Sequence, residues 1–429
     1  MKFTFRGFSE GMLPSPLTSS ELARGAVLWA LAHFFENGNW GSPAEMGVEG
    51  QSLTPEDHLY VLMQAALYLT VTRGFAAPEA RGCYERVESL CHSLNRPFLL
   101  YSALTSRWRY SLWTDKVTAT MQIAKRVYSL AQEQNDAALM IGAHRALAVT
   151  FYFLGDFESA RQHAMSGVEI WRSKGVPSPV EEPITPAATC LCHQALSEWH
   201  LGEIASCRAT MAEAITQAKE LNDMHALAQA LWYAAVLAHY ERNPAEVERY
   251  SSDLIELSTL HNFATWLAHA DVLRGWVRSV CGNTAEGISW IEDGLKETRA
   301  TGVMLTVPFL LALKAEALHL AVRTAEALEA IREGNAPVER FENRYWSAEL
   351  HRLGGVLLTA MGAEEAQIEA SFLEAIRIAK EQKWVSLAKR AEATYAEYRR
   401  QRASALGGRG FRLPICYPLE ILSSIDSPG

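Results

Sequence analysis

The sequence predicts an all-α protein, a right-handed superhelical solenoid of about eight helix pairs. Apolar residues recur three and four apart over nearly the whole chain, which is the period of a helix with one buried face. No segment shows sustained alternation of apolar and polar residues, so no sheet is expected. Short turns recur about every 40 residues, and self-similarity at a fixed period is typical of stacked helix pairs.

The clearest copy of the repeat surrounds residue 155. Leu147-Ala148 and Phe151 precede the turn Leu154-Gly155-Asp156-Phe157, and Ala160 follows it. Small residues let two helices approach closely, and glycine permits a left-handed helix end. The pattern is tetratricopeptide-like, although its period exceeds the usual value of about 34 residues. Armadillo and HEAT arrays share the longer period and are the second interpretation, because they lack this turn. Comparable turns fall near Gly74, Asp115, Gly202, Asn243, Gly282, Arg323 and Gly362.

The chain divides into a leader, a helical body and a tail. Residues 1–20 contain scattered glycine and proline and are interpreted as a flexible leader. Residues 21–402 form the predicted solenoid, which ends in an unpaired helix at 384–402 that suits a cap. The best-defined pairs are expected at 140–154 with 157–172, 190–201 with 204–221, 226–240 with 246–260, 266–281 with 284–299, 308–320 with 324–333, and 345–361 with 366–381.

Two segments depart from the helical pattern. The insert at 175–186 holds four prolines, which cannot continue a helix. It is expected to be a surface insertion, with a hinge or a ligand-contacting flap as the alternative. Residues 403–429 are expected to form a flexible or docking tail. Its apolar strip at 411–422 either packs on the solenoid or begins a part that the sequence lacks.

Composition favours a cytoplasmic protein that meets other proteins or small ligands. The net charge of -9 argues against a general nucleic-acid binder, so nucleic acid is not an expected partner. Seven scattered cysteines do not form a disulfide framework and fit a reducing compartment. No apolar run has the length of a signal peptide core or a membrane span, so no membrane partner is expected. Residues 377–412 are basic, as a solvated last helix or as a dock for an acidic partner.

The sequence contains no recognisable catalytic or cofactor motif. His-Glu-x-x-His, Gly-x-Ser-x-Gly and the Gly-x-x-x-x-Gly-Lys-Ser/Thr phosphate loop are all absent. Cys190, Cys192 and His193 come nearest to a metal site. Helical positions two apart point about 200° from each other, so the two thiols do not share an ion easily. We therefore expect no enzyme activity, no cofactor and no metal.

The predicted binding surface is the concave groove, which the first helix of each pair lines in this kind of array. Aromatic, histidine and charged side chains are mixed along it, a composition typical of recognition surfaces. The alternative is that aromatic residues at helical spacing belong to the core. The repeat around Gly155 serves as a ruler for the positions that face the groove. The candidate ligand-binding residues are Arg145, Tyr152, Trp199, Trp232, His239, Trp276, Glu316, His319, Glu349 and Arg352.

Residues 188–402 resemble the C-terminal tetratricopeptide region of large bacterial predicted ATPases and class III adenylate cyclases, which are STAND-type signalling proteins. The resemblance rests on Ala195-Leu-Ser-Glu-Trp199-His-Leu-Gly202, Phe263-Ala-Thr-Trp266, Leu273-Arg-Gly-Trp276 and Arg344-Tyr-Trp346. It implies a solenoid that senses a signal or partner behind a nucleotide-hydrolysing module. Because this chain has no phosphate loop, the catalytic activities of those proteins are not carried over.

These observations lead to one interpretation and one alternative. The chain is interpreted as a non-enzymatic scaffold or sensor in bacterial signal transduction that binds a peptide, protein segment or small effector in its groove. The alternative is the regulatory half of a multidomain signalling ATPase or cyclase, inactive without its catalytic module. An enzyme that uses the groove is least favoured, because no acid, base or nucleophile set is visible.

Overall fold

The protein is a stack of helix pairs, as predicted. A computed structural model of the chain describes residues 54–73, 76, 78–175, 184–405, 413 and 415, and in these ranges it contains seventeen helices and no strand. Sixteen helices form eight successive pairs, and the last is unpaired. The helices are α1 Pro55–Arg73, α2 Pro78–Ser93, α3 Pro97–Thr114, α4 Val117–Gln134, α5 Ala137–Leu154, α6 Phe157–Lys174, α7 Pro186–His200, α8 Ile204–Glu220, α9 Met224–Tyr240, α10 Pro244–His261, α11 Ala264–Val280, α12 Thr284–Ala300, α13 Val307–Leu320, α14 Thr324–Phe341, α15 Ser347–Ala360, α16 Glu365–Glu381 and α17 Val385–Ala405. The predicted leader at 1–20 and most of the tail and of the proline-rich insert lie outside the described residues.

Turns inside the pairs fall where the glycines predict them. Gly155, Gly202, Gly282 and Gly362 adopt positive φ angles between 67° and 96°, which glycine tolerates without strain. Aspartate then caps several following helices; the Asp156 carboxylate, for example, accepts a hydrogen bond from the Ser159 N–H. The local sequence therefore sets the end of one helix and the start of the next.

Glycine also allows the closest contact between two helices of a pair. In α11 and α12, a Cβ atom built on Gly287 would lie 2.4 Å from the Gly275 carbonyl oxygen. A Cβ built on Gly275 would in turn lie 2.6 Å from the Gly287 carbonyl oxygen. No side chain fits between these backbones, so both positions require glycine at this separation.

The first helices of the pairs are buried on nearly all sides. All fifteen residues of α7 are buried, whereas the second helices bury one face only. Helix α5 is long and apolar enough to span a membrane, yet 78% of it is buried within the protein. This is the burial expected of a core helix in a stacked array.

Distant pairs meet each other as the stack turns. The Arg344 N–H donates to the Phe153 carbonyl at 2.8 Å, and Lys116 Nζ lies 3.0 Å from Glu342 Oε1. Helix α17 contacts α7 across the axis of the turn, where Ser386 Oγ donates to the Trp199 carbonyl at 3.3 Å. The axis of the superhelix is therefore filled by side chains and by the final helix.

Candidate functional site

Nine of the ten candidate residues lie at the axis and are at most 4% exposed. The tenth, His319, is half-buried at the end of α13, with its Nδ1 3.4 Å from Thr324 Oγ1. The nine form three groups: an aromatic cluster, an ionic network and the wall of an apolar pocket. The ruler therefore identified the inward-facing positions, while the role of these residues in ligand binding stays a prediction.

The aromatic cluster contains two candidates, Tyr152 and Trp199. The Tyr152 hydroxyl lies 3.1 Å from His200 Nε2, and Trp199 packs against Tyr240 with ring centroids 4.7 Å apart. Trp384, which directly precedes α17, meets the His200 ring edge-on at 4.2 Å. Burial raises the pKa of Tyr152 and lowers the pKa of His200. In this structure the cluster holds α17 in place, which is the core role that the sequence left open.

The ionic network contains five candidates, His239, Trp276, Glu316, Glu349 and Arg352, joined by Arg242 and Arg390. Glu316 Oε2 accepts from Arg242 Nη1 at 2.6 Å and from Trp276 Nε1 at 2.8 Å. Glu349 accepts from Arg352 Nε and Nη2, each at 2.8 Å. Arg242 Nη2 lies 3.4 Å from Glu349 Oε1, and Arg390 Nη1 lies 3.8 Å from the same oxygen. Two carboxylates thus share three guanidinium groups away from water.

The charges in this network fix one another. Burial alone raises the pKa of a carboxyl group, yet Arg242 holds the pKa of Glu316 well below its ordinary value. Burial likewise opposes ionisation of Glu349, and Arg352 outweighs it and lowers that pKa. Burial lowers the pKa of Arg390 to about 10, and burial with the charge of Arg242 lowers the pKa of His239 to about 4. At neutral pH the histidine is uncharged and the other four groups carry their charges.

A residue of the C-terminal tail completes the network. Arg352 Nη2 donates to the Ile415 carbonyl at 3.0 Å, and Leu413 and Ile415 are both buried in the main core. Sequence reasoning missed Arg242 and Arg390. Arg242 carried a usable signal, because it stands where the other turns have glycine; Arg390 in the last helix carried none.

The third group lines an apolar cavity of about 80 Å³, here called the tryptophan pocket. Helices α3, α5, α7, α9 and α11 supply most of its wall, and Arg145 and Trp232 are the candidates that line it. Its rings come from Trp108, Trp113, Phe153, Trp232, Tyr233 and Trp266, and its polar members are Arg109, Arg145, Thr189, His193, Gln229, Thr265, His269 and Thr306. Among the described lining residues there are two arginines and no aspartate or glutamate.

Hydrogen bonds define the state of the polar members of the pocket. His193 Nδ1 lies 3.0 Å from the Thr189 carbonyl, so Nδ1 donates and Nε2 is left as an acceptor. His269 Nε2 lies 3.2 Å from Thr306 Oγ1. Burial, with the charge of Arg145, lowers the pKa of His193 to about 4, and burial lowers the pKa of His269 to about 3. Both imidazoles are therefore neutral at pH 7, and the pocket's positive charge comes from its arginines.

A larger cleft of about 860 Å³ lies where the turn between α5 and α6 meets α14 to α17. Charged side chains such as Glu158, Glu342 and Lys383 line it, and it contains none of the ten candidates. Lys116 and Thr118 both bond to Glu342 beside it, so this cleft marks the seam between distant pairs. The described residues hold no group of three or more His, Cys, Asp or Glu side chains arranged for a metal ion.

No family model matches this sequence. The chain is 23% identical over 329 residues to an uncharacterized protein of Rhizobium meliloti (strain 1021), a match that covers 76% of this chain and 32% of that protein. The chain thus spans about a third of the length of the curated relative it matches.

Solved structures are similar in fold at low sequence identity. A Rap protein complexed with Competence and Sporulation Factor is 12% identical, with a TM-score of 0.52 over 81% of this chain and 99% of that one. The apo quorum sensor NprR from B. thuringiensis is 11% identical, with a TM-score of 0.48 over 82% and 96% of the two chains. A STAND protein with a tetratricopeptide repeat sensor from Pyrococcus horikoshii is 13% identical, with a TM-score of 0.44 over 95% and 64%. Similarity to the Rap protein supports a tetratricopeptide-like helical-repeat fold.

Proposed function

We propose that this chain is a non-enzymatic sensor or scaffold whose concave side binds a peptide or a segment of a partner protein in bacterial signal transduction. The observation that carries the proposal is the tryptophan pocket, where six rings surround a cavity of about 80 Å³ beside two arginines. One water needs about 10–15 Å³ of such space, so the cavity accepts a group of side-chain size. Aromatic and arginine side chains are the residue types that dominate binding energy at interfaces.

The fold fits a peptide better than it fits a reaction. Successive first helices place side chains at regular intervals along one surface, which suits recognition of an extended segment. The Rap protein of similar fold is in complex with Competence and Sporulation Factor, and by analogy we propose a ligand of peptide type here. We also propose a cytoplasmic location, where a reducing environment keeps thiols such as the buried Cys192 and Cys207 free.

Two matched tryptophan variants test the proposal. Peptides are selected on the purified chain from a random displayed library, and their affinities are measured by calorimetry. Trp266 lines the pocket and Trp290 lies on the neighbouring helix outside it, and both are half-buried. We expect Trp266→Ala to weaken binding by about tenfold or more, because loss of an aromatic contact in a pocket costs at least ~1.4 kcal/mol. Trp290→Ala is expected to bind like the parent chain.

Either of two results would count against the proposal. One is a library that yields no binder for the folded chain. The other is a set of binders whose affinity responds equally to Trp266→Ala and Trp290→Ala. A small effector found in place of a peptide would redirect the proposal to a small-molecule sensor.

A second candidate is the regulatory half of a larger signalling ATPase or cyclase. The observation that favours it is that the chain matches only 32% of the length of its curated relative. The reading frame around the coding sequence in its own genome tests this candidate. A phosphate loop in the same or the adjacent frame would support it, and the absence of a nucleotide-hydrolysing module from both would contradict it.

A further inference from the structure

We infer that the tryptophan pocket recognises the C-terminal aromatic residue of a peptide, with the ring held among the tryptophans and the terminal carboxylate held by arginine. This inference rests on the proposed function and specifies its ligand. It follows from the shape, the charge and the hydrogen-bonding state of the pocket.

The walls favour a ring. Trp108, Trp113, Trp232 and Trp266 approach from four different helices or helix ends around the cavity. Aromatic pairs gain about 0.5–1.5 kcal/mol beyond the burial of their area when they stack or meet edge-on. An aliphatic group of the same volume would bury similar area without that gain.

The charge favours an anion. Although the chain as a whole carries a net charge of -9, the described pocket wall has Arg109 and Arg145 and no carboxylate. Arg145 is 4% exposed, and its Cζ lies 5.1 Å from the centre of the Trp108 ring. A guanidinium that stacks by its face keeps its N–H donors in the plane, where they match a carboxylate. A cationic ligand would meet two like charges.

The histidines contribute acceptors rather than charge. His193 Nε2 is buried, accepts no hydrogen bond from the protein, and belongs to a ring that lines the pocket. A buried acceptor without a donor costs about 1–3 kcal/mol, so a ligand N–H placed there gains that amount. The amide N–H of a peptide's last residue is such a donor, and a carboxylate is not.

Size places the ring and the carboxylate on one residue. In an extended peptide, neighbouring side chains point to opposite sides and successive Cα atoms are about 3.8 Å apart. A cavity of about 80 Å³ admits one residue's groups but not two opposed side chains. A C-terminal aromatic residue carries the ring and the carboxylate within a single unit.

The test uses four synthetic peptides with the full chain. The first is an acetylated pentapeptide of four serines and a C-terminal phenylalanine with a free carboxylate. The second is its C-terminal amide, the third ends in alanine with a free carboxylate, and the fourth has an internal Phe-Glu pair and an amidated end. Tryptophan fluorescence reports binding, because phenylalanine does not absorb where tryptophan is excited. We expect the first peptide to bind about tenfold or more tightly than each of the others, as a charge-assisted hydrogen bond implies.

Arginine variants connect the preference to the pocket. Arg145→Gln is expected to abolish the preference of the chain for acid over amide. Arg109 is half-buried, so Arg109→Gln provides a second variant whose folding is less at risk, and we expect it to reduce the preference. Arg299 is exposed on α12 and pairs with Glu333, so Arg299→Gln is the matched control that leaves the preference unchanged.

The outcomes separate this inference from the proposed function. Equal binding of acid and amide, stronger binding of the internal Phe-Glu peptide, or a preference that survives both pocket variants overturns the inference. If library peptides bind through Trp266 while the four defined peptides do not, the inference fails and the proposed function stands. If neither set binds the folded chain, both fail.

Discussion

Arg242 occupies the turn position at which Gly155, Gly202, Gly282 and Gly362 stand in other pairs. Its φ angle is 57°, in the left-handed region that costs a residue with a side chain about 1–2 kcal/mol. The backbone there aims the guanidinium at two buried carboxylates, and its Nη1 lies 2.6 Å from Glu316 Oε2. The strain is offset by the charge that the side chain brings to the axis.

Arg242→Gly separates the strain from the charge. Glycine relieves the backbone, but Glu316 and Glu349 lose a shared cation, and breaking a buried pair costs about 3–5 kcal/mol. We therefore expect a net loss of stability, measured as the free energy of unfolding in urea. Val322 has the same backbone conformation, with a φ angle of 63°, but its side chain is 87% exposed. Val322→Gly is the control and should stabilise the protein by up to ~1 kcal/mol; equal effects of the two changes would contradict this account.

At the scale of the element, local sequence predicts most of the helices. The turns with glycine and the threefold and fourfold apolar spacing are local signals, and they locate the pairs from residue 140 onward. Starts of helices were harder to predict. The sequence interpretation began a helix at Cys190, whereas α7 begins at Pro186, because proline is well tolerated in the first turn of a helix. Likewise α5 begins at Ala137 after an Asp136 cap, three residues before the expected start.

The contact between α11 and α12 supports a prediction at this scale. Gly287→Ala would place a methyl group against the Gly275 carbonyl, so we expect the helices to separate and stability to fall by about 1–3 kcal/mol. Gly334 on α14 is a matched control, since a Cβ there meets only the flexible end of Leu350 at 3.3 Å and Leu311 at 3.6 Å. In Gly334→Ala, the gain of about 1 kcal/mol in helix propensity should balance the tight contact. Thermal unfolding of both variants checks the difference, and a Gly287→Ala protein as stable as its control would refute the expected crowding.

At the scale of the whole molecule, the sequence placed the candidate residues on the inner side but not their surroundings. A repeat ruler uses local spacing, so it finds the positions that face the axis, such as Tyr152 and Trp232. Whether that surface is open depends on contacts between residues far apart, such as Arg390 Nη2 with the Tyr240 carbonyl at 2.8 Å. No local period contains that information. The tryptophan pocket likewise combines five helices and could not be assembled from one repeat.

Buried histidines make the stability of the whole molecule sensitive to mild acid. Burial lowers the pKa of His239 to about 4 and of His269 to about 3, whereas an unfolded histidine titrates near ~6.5. As pH falls below about 6.5, the unfolded chain gains protons that the folded chain does not bind, so stability is full above about 6.5 and is lost towards about 4. Urea unfolding measured from about pH 7 to about pH 4 should show this loss before the carboxylates of Glu316 and Glu349 titrate.

Two histidine variants test the cause of the pH effect. In His269→Gln the amide can reach the Thr306 hydroxyl, and the slope of stability against pH should become smaller between pH values of about 6.5 and 4. His92 is exposed, so His92→Gln should keep the slope of the parent chain. A slope that is the same in all three proteins would assign the acid sensitivity to other groups.

The filled axis also has a consequence for the growing chain on the ribosome. Helix α17 covers Trp199 and Tyr240, yet it is synthesised ~180 residues after the first of them. At about 5–20 residues per second, that delay lasts roughly 10–40 s. During this interval the nascent pairs display an aromatic surface that only the final helix will cover. Chaperones that recognise exposed aromatic segments therefore have a defined period in which to bind this protein before it closes.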